Sequence, residues 1–422
     1  MLDINLMRKN PEAIKESLKK RQDNEKLKWL DEILKLDKDY LNSKKQIDEL
    51  RHQRNLISEK INELKKQKKT TNKELKIAKD LPVKIQQTEL KQEKIKEKIN
   101  SYLMRLPNVL HESVPYGKDE NDNKEIKKWG KIKEVNNSDS HGDIIEKIYP
   151  KSFSKAAQLS GKGFYYLFDK IALLERALIN YSIDFLVKKG YKLCLPPYML
   201  RKKPYEGVTD LSEFETTLYK IQDEDLYLIA TSEHPIAAFY QNEILNKKDM
   251  PVKIVGFSTC FRKEIGSHGL DERGLFRVHQ FNKVEQFIFC EPKDSWKYHE
   301  ELLKNSEEIV QSLEIPYHVV NICTGDIGIV AAKKYDIEAY MPREKKYKEI
   351  TSCSNCTSYQ AVRLNIKYLN EQNEKEYIHT LNSTAIATSR MLRAIIENYQ
   401  QKDGSILVPK VLQKYTGFDK IE

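Results

Sequence analysis

A hydrophobic repeat of period seven near the N-terminus constrains the shape of this chain more than any other feature. Ile33, Tyr40, Ile47, Arg54 and Ile61 recur at one position of the repeat, and Leu36, Ser43, Leu50, Ile57 and Leu64 at another; eight of these ten are apolar. That spacing lays one apolar seam along an α-helix. A second register follows, Leu81, Thr88, Ile95 and Tyr102 with Ile85, Gln92, Ile99 and Leu106, separated from the first by the basic stretch KKQKKTTNKE. Either seam alone would leave its stripe in water. The two helices are therefore expected to fold back as an antiparallel hairpin, with Pro82 near the start of the second and Pro107 stopping it. About 33 residues per helix at ~1.5 Å each give an arm on the order of 50 Å long.

The charge is concentrated on this arm. Residues 27–105 hold 21 Lys/Arg against 13 Asp/Glu, an excess of +8 within a whole-chain formal charge of +10. A projecting rod with a lysine-rich tip suits a polyanion, because each neutralised phosphate releases counterions. The competing reading is a dimerising coiled coil with solvated lysines. No apolar run approaches the roughly 18 residues needed to cross a bilayer. The start MLDINLMRKNPEAIKESL also lacks a secretory h-region, so a cytoplasmic protein with no membrane partner is expected. The six cysteines follow no disulfide-framework spacing, and Cys353 and Cys356 form a lone CxxC without a second pair, so zinc is not expected.

A length of 422 residues fits two or three domains. Residues 1–106 form the N-terminal domain with its arm, 107–150 read as a polar, turn-rich connector, and 151–422 as the globular domain. In the last, IALLERALINYSIDFLVKKG places Leu174, Leu178, Tyr181 and Phe185 at helical spacing, with Gly190 as a C-cap. YKLCLPPYML reads as a strand stopped by Pro196-Pro197, and LYLIA, VKIVGFSTCF, FRVHQFNKVEQFIFC and IEAYM as further strands. Hairpins mixed with helices give an α+β domain on an antiparallel β-sheet flanked by helices. There is no GxGxxG after a strand and no GxxxxGK[ST], so any phosphate must be held by side chains.

One hairpin is dense in fixed charge. CFRKEIGSHGLDERGLFRVHQFNKVEQF (residues 260–287) presents Arg262, Lys263, Glu264, Arg273, Arg277, His279 and Glu285 between two strand-like runs. A solvated hairpin with surface salt bridges is the plain reading. The segment also resembles motif 2 of class II aminoacyl-tRNA synthetases, FRxE…RxxxF, with Arg262, Glu264, Arg277 and Phe281 at its fixed positions. STAIATSRMLRAIIENYQ resembles motif 3, with Arg390 as its arginine, and the helix running through Gly190 to Pro197 resembles motif 1. TSE at Thr231, Ser232 and Glu233, HQFNKVE ending at Glu285, EITSCSN from Glu349, HTLNSTA from His379 and PNVLHESVPYGKDENDN in the connector are similar to the seryl-tRNA synthetase family, which also carries a long N-terminal antiparallel coiled coil.

The resemblance implies a serine–tRNA ligase that activates L-serine with ATP to seryl-adenylate and passes it to tRNA(Ser), with tRNA(Sec) left open. By the same resemblance Arg262, Glu264, Arg277 and Arg390 are the catalytic group. Arg262 bridges the serine carboxylate and the α-phosphate, Arg277 covers the outer phosphates, and Phe281 and Arg390 sandwich the adenine. Lys263, Glu264, Val278 and the run Glu349, Ile350, Thr351 and Ser352 belong to the nucleotide pocket, with Glu349 and Ser352 holding Mg²⁺. Thr231, Ser232, Glu233, Glu285 and Thr384 surround the serine together with Arg262. The tRNA would be met through its long variable arm and acceptor end, and a homodimer would include the Leu174–Phe185 helix and Pro197. The chain has TSE where many relatives have TAE, and NST where many have NGS, which bears on the hydroxyl contact and not on the reaction. Two other classes compete: a synthetase-like ligase loading a protein carrier, which would not need the basic arm, and a non-catalytic RNA-binding scaffold, which would not need Arg262, Glu264, Phe281, Glu285, Glu349 and Arg390 together.

Overall fold

The computed structural model describes residues 1–132, 139–211, 215–264 and 274–422; Arg273 lies outside the described residues. The chain divides into two compact units, residues 1–107 and 108–422. In the first, two short helices precede α1 (Asn24–Lys66) and α2 (Asn72–Leu103). Asp23 caps α1, its carboxylate accepting from the Lys26 N–H at 3.0 Å. The seams read from the sequence are the packed faces. Of the ten α1 positions only Arg54 is exposed, and every position of the second register is buried or half-buried. Glu32 pairs with Lys98, Arg51 with Glu89 and Lys60 with Glu74, so partner numbers rise on one helix as they fall on the other. Such exposed pairs contribute under about 1 kcal/mol each, and the apolar seam carries the pairing. Lys65, Lys66, Lys68 and Lys69 are exposed at the tip.

Pro82 is not near the start of α2 but well inside it, because the helix begins at Thr71–Asn72. Its missing N–H orphans the Ala78 carbonyl, and Pro82 is tolerated on the exposed side of the arm, where water can satisfy that group. The helix also ends at Leu103, short of Pro107.

The second unit is built on an eight-stranded sheet: β1 (Lys124–Trp129), β2 (Lys192–Cys194), β3 (Val252–Phe261), β4 (Gln280–Cys290), β5 (Tyr317–Asn321), β6 (Lys333–Met341), β7 (Lys346–Asn355) and β8 (His379–Ala387). Their order is β1-β5-β6-β7-β8-β4-β3-β2, with every neighbouring pair antiparallel except β2 and β3. Helices α3 (Asp169–Lys188), α4 (Ser295–Ser312) and α5 (Thr388–Tyr399) supply the main core against one face of the sheet.

The alternation of β4 assigns its two faces. Val284, Ile288 and Cys290 join the helix-side core, whereas Phe287 and Phe289 pack on the other face with Ile236, Ile254 and Leu364. The second core covers only one end of that face. Phe281 and Lys283, further along the same row, border a cavity instead.

One expectation is revised here. The stretch 107–150 is not simply a connector. β1 pairs with β5 at the sheet edge, and the Asn108 side chain donates to the carbonyls of Val330 and Cys356 at 2.9 and 2.8 Å. Its KEIKKW sequence looks like a loop because an exposed edge strand keeps charges that discourage further pairing. In α3, Leu174, Leu178 and Tyr181 are buried in the core, so only the opposite side of that helix, with Leu173 and Val187, is exposed. Gly190 ends α3 as expected: at φ +88° its N–H reaches the Val187 carbonyl while the Tyr191 N–H reaches Leu186, the paired bonds of a Schellman turn.

Candidate active site

β3 and β4 pair in register from Val252 opposite Phe289 to Phe261 opposite Gln280. Opposed residues share a face, so Gly256, Ser258 and Cys260 stand across from Glu285, Lys283 and Phe281, with Arg262 just beyond the strand. Gly256 has no room for a side chain: a Cβ there would lie 2.7 Å from Ser232 Oγ and 2.5 Å from Ile236 Cδ1. This close approach lets the Thr231–Ile236 segment rest on the sheet and brings Glu233 towards Glu285.

The Glu233 N–H donates to Thr231 Oγ1 at 3.2 Å, and Gln360 Nε2 donates to its carboxylate at 2.8 Å. Burial, followed by the nearby charge of Glu285, pushes the Glu233 carboxyl up to about 7, with Lys283 and Arg262 opposing. Burial also drives the neighbouring His234 down to about 3, helped by Lys283 and Arg262, so that imidazole is neutral. Glu285 is differently placed. It accepts from Lys283 Nζ at 2.6 Å and from Thr384 Oγ1 at 3.1 Å, and Thr384 sits directly opposite it in the β4–β8 ladder.

The adjoining cavity has a volume of about 230 Å³. Four cations line it, Arg262, Lys283, Lys334 and Arg390, against the carboxylates of Glu264 and Glu349. A bulge in β7 between Glu349 and Thr351 explains one part of the lining. Strict alternation would send Glu349 and Ser352 to opposite faces; the extra residue brings both to the cavity while the Ile350 side chain turns into the helix-side core. Arg390 Nη1 lies 3.0 Å from Glu349 Oε1 and donates to its carbonyl at 3.2 Å. Burial would lift the Glu349 carboxyl, but Arg390 and Lys334 outweigh it and hold the group below the usual carboxylate range. The Arg390 guanidinium also stands 5.0 Å from the ring of Phe276, and that of Arg262 5.1 Å from Phe281.

A cavity lined by four cations and aromatic walls suits a polyanion with a planar part. Cys260 is buried with its thiol pushed up by burial, and so is not poised as a nucleophile. Positioning and charge stabilisation are what this arrangement offers. For a divalent cation, Glu349 and Ser352 offer oxygen donors on one face, with the Glu349 side chain 39% exposed and Arg390 engaging Oε1. Among the described residues no three or more His, Cys, Asp or Glu side chains converge, so a hard cation held here would complete its shell from phosphate oxygens and water.

Of the residues singled out in the sequence, Arg262, Glu264, Val278, Phe281, Glu349, Ile350, Thr351, Ser352, Thr384 and Arg390 line this cavity. Thr231, Ser232, Glu233 and Glu285 form the buried polar group beside it. Arg277 is exposed and does not line it, and Lys263 turns its ammonium over Tyr219 at 5.7 Å. Lys283, Lys334, Phe276 and Gln360 went unassigned. Period-two alternation between Phe281 and Glu285 was a usable signal for Lys283; nothing local marked Lys334 or Gln360, which arrive from β6 and the short helix Tyr359–Leu364.

Residues 1–110 match the model of the seryl-tRNA synthetase N-terminal domain, and residues 215–399 that of the tRNA synthetase class II core domain (G, H, P, S and T). The serine–tRNA ligase of Methanocella arvoryzae is 54% identical over 418 residues, covering 98% of each chain. That of Pyrococcus horikoshii is 49% identical, covering all of this chain and 97% of the relative. Among solved structures, the seryl-tRNA synthetase from Pyrococcus horikoshii complexed with ATP superposes with a TM-score of 0.95 over 100% of this chain and 99% of that one, at 49% identity. The cytoplasmic serine–tRNA ligase from Naegleria fowleri in complex with AMP gives 0.91 at 36% identity, again over 100% and 99%.

Proposed function

The chain belongs to the seryl-tRNA synthetase family, and from that premise we propose that the cavity bordered by β4, β7 and β8 is where it activates serine. It is a serine–tRNA ligase of class II, using ATP to activate serine and transferring it to tRNA. The observation that carries the site assignment is the position of Arg262. Its side chain lines the cation-lined cavity and its guanidinium reaches the carbonyl of Ala230, the residue before Thr231, at 3.4 Å, so it stands between the buried polar group and that cavity.

In this reading serine occupies the first and ATP the second. Glu233 and Thr231 hold the serine ammonium, and Glu285 with Thr384 meets its hydroxyl. Alanine would leave those buried groups unpaired, and threonine's extra methyl would crowd them. The serine carboxylate attacks the α-phosphorus, a P–O bond forms, and pyrophosphate leaves. Arg262 offsets the repulsion between the two anions during that step. Phe281 and Arg390 stack on the adenine, a task for which Lys could not replace the planar guanidinium. A tRNA hydroxyl then attacks the serine carbonyl and AMP departs. Mg²⁺ on Glu349 and Ser352 would meet the divalent requirement usual in class II, neutralising phosphate charge.

The basic arm is the proposed grip on the long variable arm of tRNA(Ser). A homodimer is proposed through the exposed side of α3 and the adjoining Leu193, Leu195, Pro197 and Met199. Among the described residues no helix is long and apolar enough to cross a membrane, and a role in translation suits the cytoplasm.

Serine-dependent exchange of pyrophosphate into ATP tests the site, and charging of tRNA tests the whole enzyme. Exchange should need serine and a divalent cation, and alanine or threonine should support little of it. No exchange, or equal exchange with alanine, would overturn the assignment.

A further inference from the structure

A histidine outside every motif holds the backbone that carries Phe276. His141 begins the helix His141–Ile148 and is buried. Its Nε2 accepts from the Leu275 N–H at 2.9 Å, which places the ring proton on Nδ1, and Nδ1 donates to Glu397 Oε1 of α5 at 2.8 Å. The same Glu397 oxygen accepts from Arg393 Nε at 3.1 Å. Arg393 and Arg390, on one helix, both lie against the Phe276 ring, at 4.9 and 5.0 Å.

Gly274 shows how close this approach is. Its φ of +126° disfavours side chains, and a Cβ there would run into the His141 imidazole. Leu275 is fully buried in the helix-side core, so its backbone is anchored on two sides: by its own side chain and by the imidazole. The next residue is Phe276.

We propose that His141 is a positioning residue for nucleotide binding: by holding Leu275 it sets Phe276 as the ring that backs the Arg390 guanidinium. This rests on the reading of Arg390 as an adenine partner. A guanidinium already backed by a fixed ring loses less freedom when a base stacks on it, so the contribution appears in nucleotide affinity and not in serine affinity.

The test uses two amides in the full-length enzyme. In His141→Asn the amide nitrogen can replace Nδ1 towards Glu397, but no acceptor reaches Leu275. In His141→Gln the amide oxygen can stand where Nε2 stood. The Asn variant should raise the ATP KM in pyrophosphate exchange roughly tenfold, the scale of one lost buried hydrogen bond, with the serine KM within about twofold. The Gln variant should recover most of the loss. Calorimetric titration of each protein with ATP should give the same order of Kd values, and it reads this inference even if the exchange assay shows the site assignment to be wrong. Equal ATP affinity in all three proteins would overturn the proposal, as would Asn and Gln variants that lose melting temperature alone or lose ATP and serine affinity equally. If His141→Asn does not fold, Phe276→Leu decides: an ATP-selective loss supports the proposal and an unchanged ATP KM refutes it.

Discussion

Lys283 Nζ lies 2.6 Å from Glu285 Oε2, and both side chains are buried. Desolvation makes such a pair a poor source of net stability, so its role is better sought in what it does to Glu285. It holds the Glu285 carboxylate beside Thr384, whose Oγ1 donates to the same oxygen at 3.1 Å.

Lys283→Met should therefore leave Glu285 uncompensated, costing about 3 kcal/mol or more of stability and raising the serine KM well above the ATP KM. Glu285→Gln, which removes the charge but keeps a polar group, should also act mainly on serine. Thermal melts and exchange kinetics measure both. If ATP handling fails in Glu285→Gln while serine affinity is unchanged, Glu285 has been assigned to the wrong substrate.

Glu233 should set a pH limb. Its carboxyl is pushed up to about 7, chiefly by burial, and it must be ionised to hold an ammonium. Below about 7 the free enzyme carries the proton, so kcat/KM for serine should rise with pH towards that value and level off above it. Because the folded state binds this proton more tightly than the unfolded chain, the group makes folding stability fall as pH rises from about 4.5 to about 7, with no further change above. Glu233→Gln should abolish the limb. A wild-type serine profile flat between pH 6 and 8 would be inconsistent with this role.

Arg262→Ala should fold normally. Arg262 is half-buried, and its hydrogen bonds to the Ala230 carbonyl are long, at 3.4 Å. Loss of a charge partner in the transition state typically costs on the order of 3–4 kcal/mol, so adenylate formation should drop by a factor of 10² to 10³ or more. Exchange near the wild-type rate in folded protein would remove Arg262 from the chemistry.

The parts of this molecule that were legible in the sequence are those with a short repeat. Period seven gave the arm, and period two gave the β3–β4 hairpin. Pro82 stands inside a helix and not near its start because its exposure makes an interior proline tolerable, and exposure is not a local property of the sequence. β1 was missed because an edge strand exposed along most of its length has no apolar alternation to read. In the site, Phe281 and Glu285 stood on a recognisable pattern, but Glu349 and Ser352 share a face only through a bulge. Gln360 and Lys334 come from distant segments, and His141 acts through a single backbone N–H. None of those relationships leaves a periodic trace.

The arm gives the last prediction, because the proposed chemistry lies wholly within residues 108–422. Removing residues 44–91 and joining the ends with a short flexible linker would keep the Glu32–Lys98 pair and the buried Ile33 and Ile99 near the base. It would delete 14 Lys/Arg against 7 Asp/Glu, most of the arm's excess charge. Serine-dependent exchange should persist near the wild-type rate, since no residue assigned to either substrate is touched. Charging should fall mainly through the tRNA KM. Salt provides a second, independent reading: the intact enzyme should lose tRNA affinity steeply as salt rises, and the shortened one should show a smaller slope because fewer phosphates are neutralised. Normal charging by the shortened enzyme at physiological salt, with an unchanged slope, would make the arm a structural or dimerising element and not the site where tRNA is gripped.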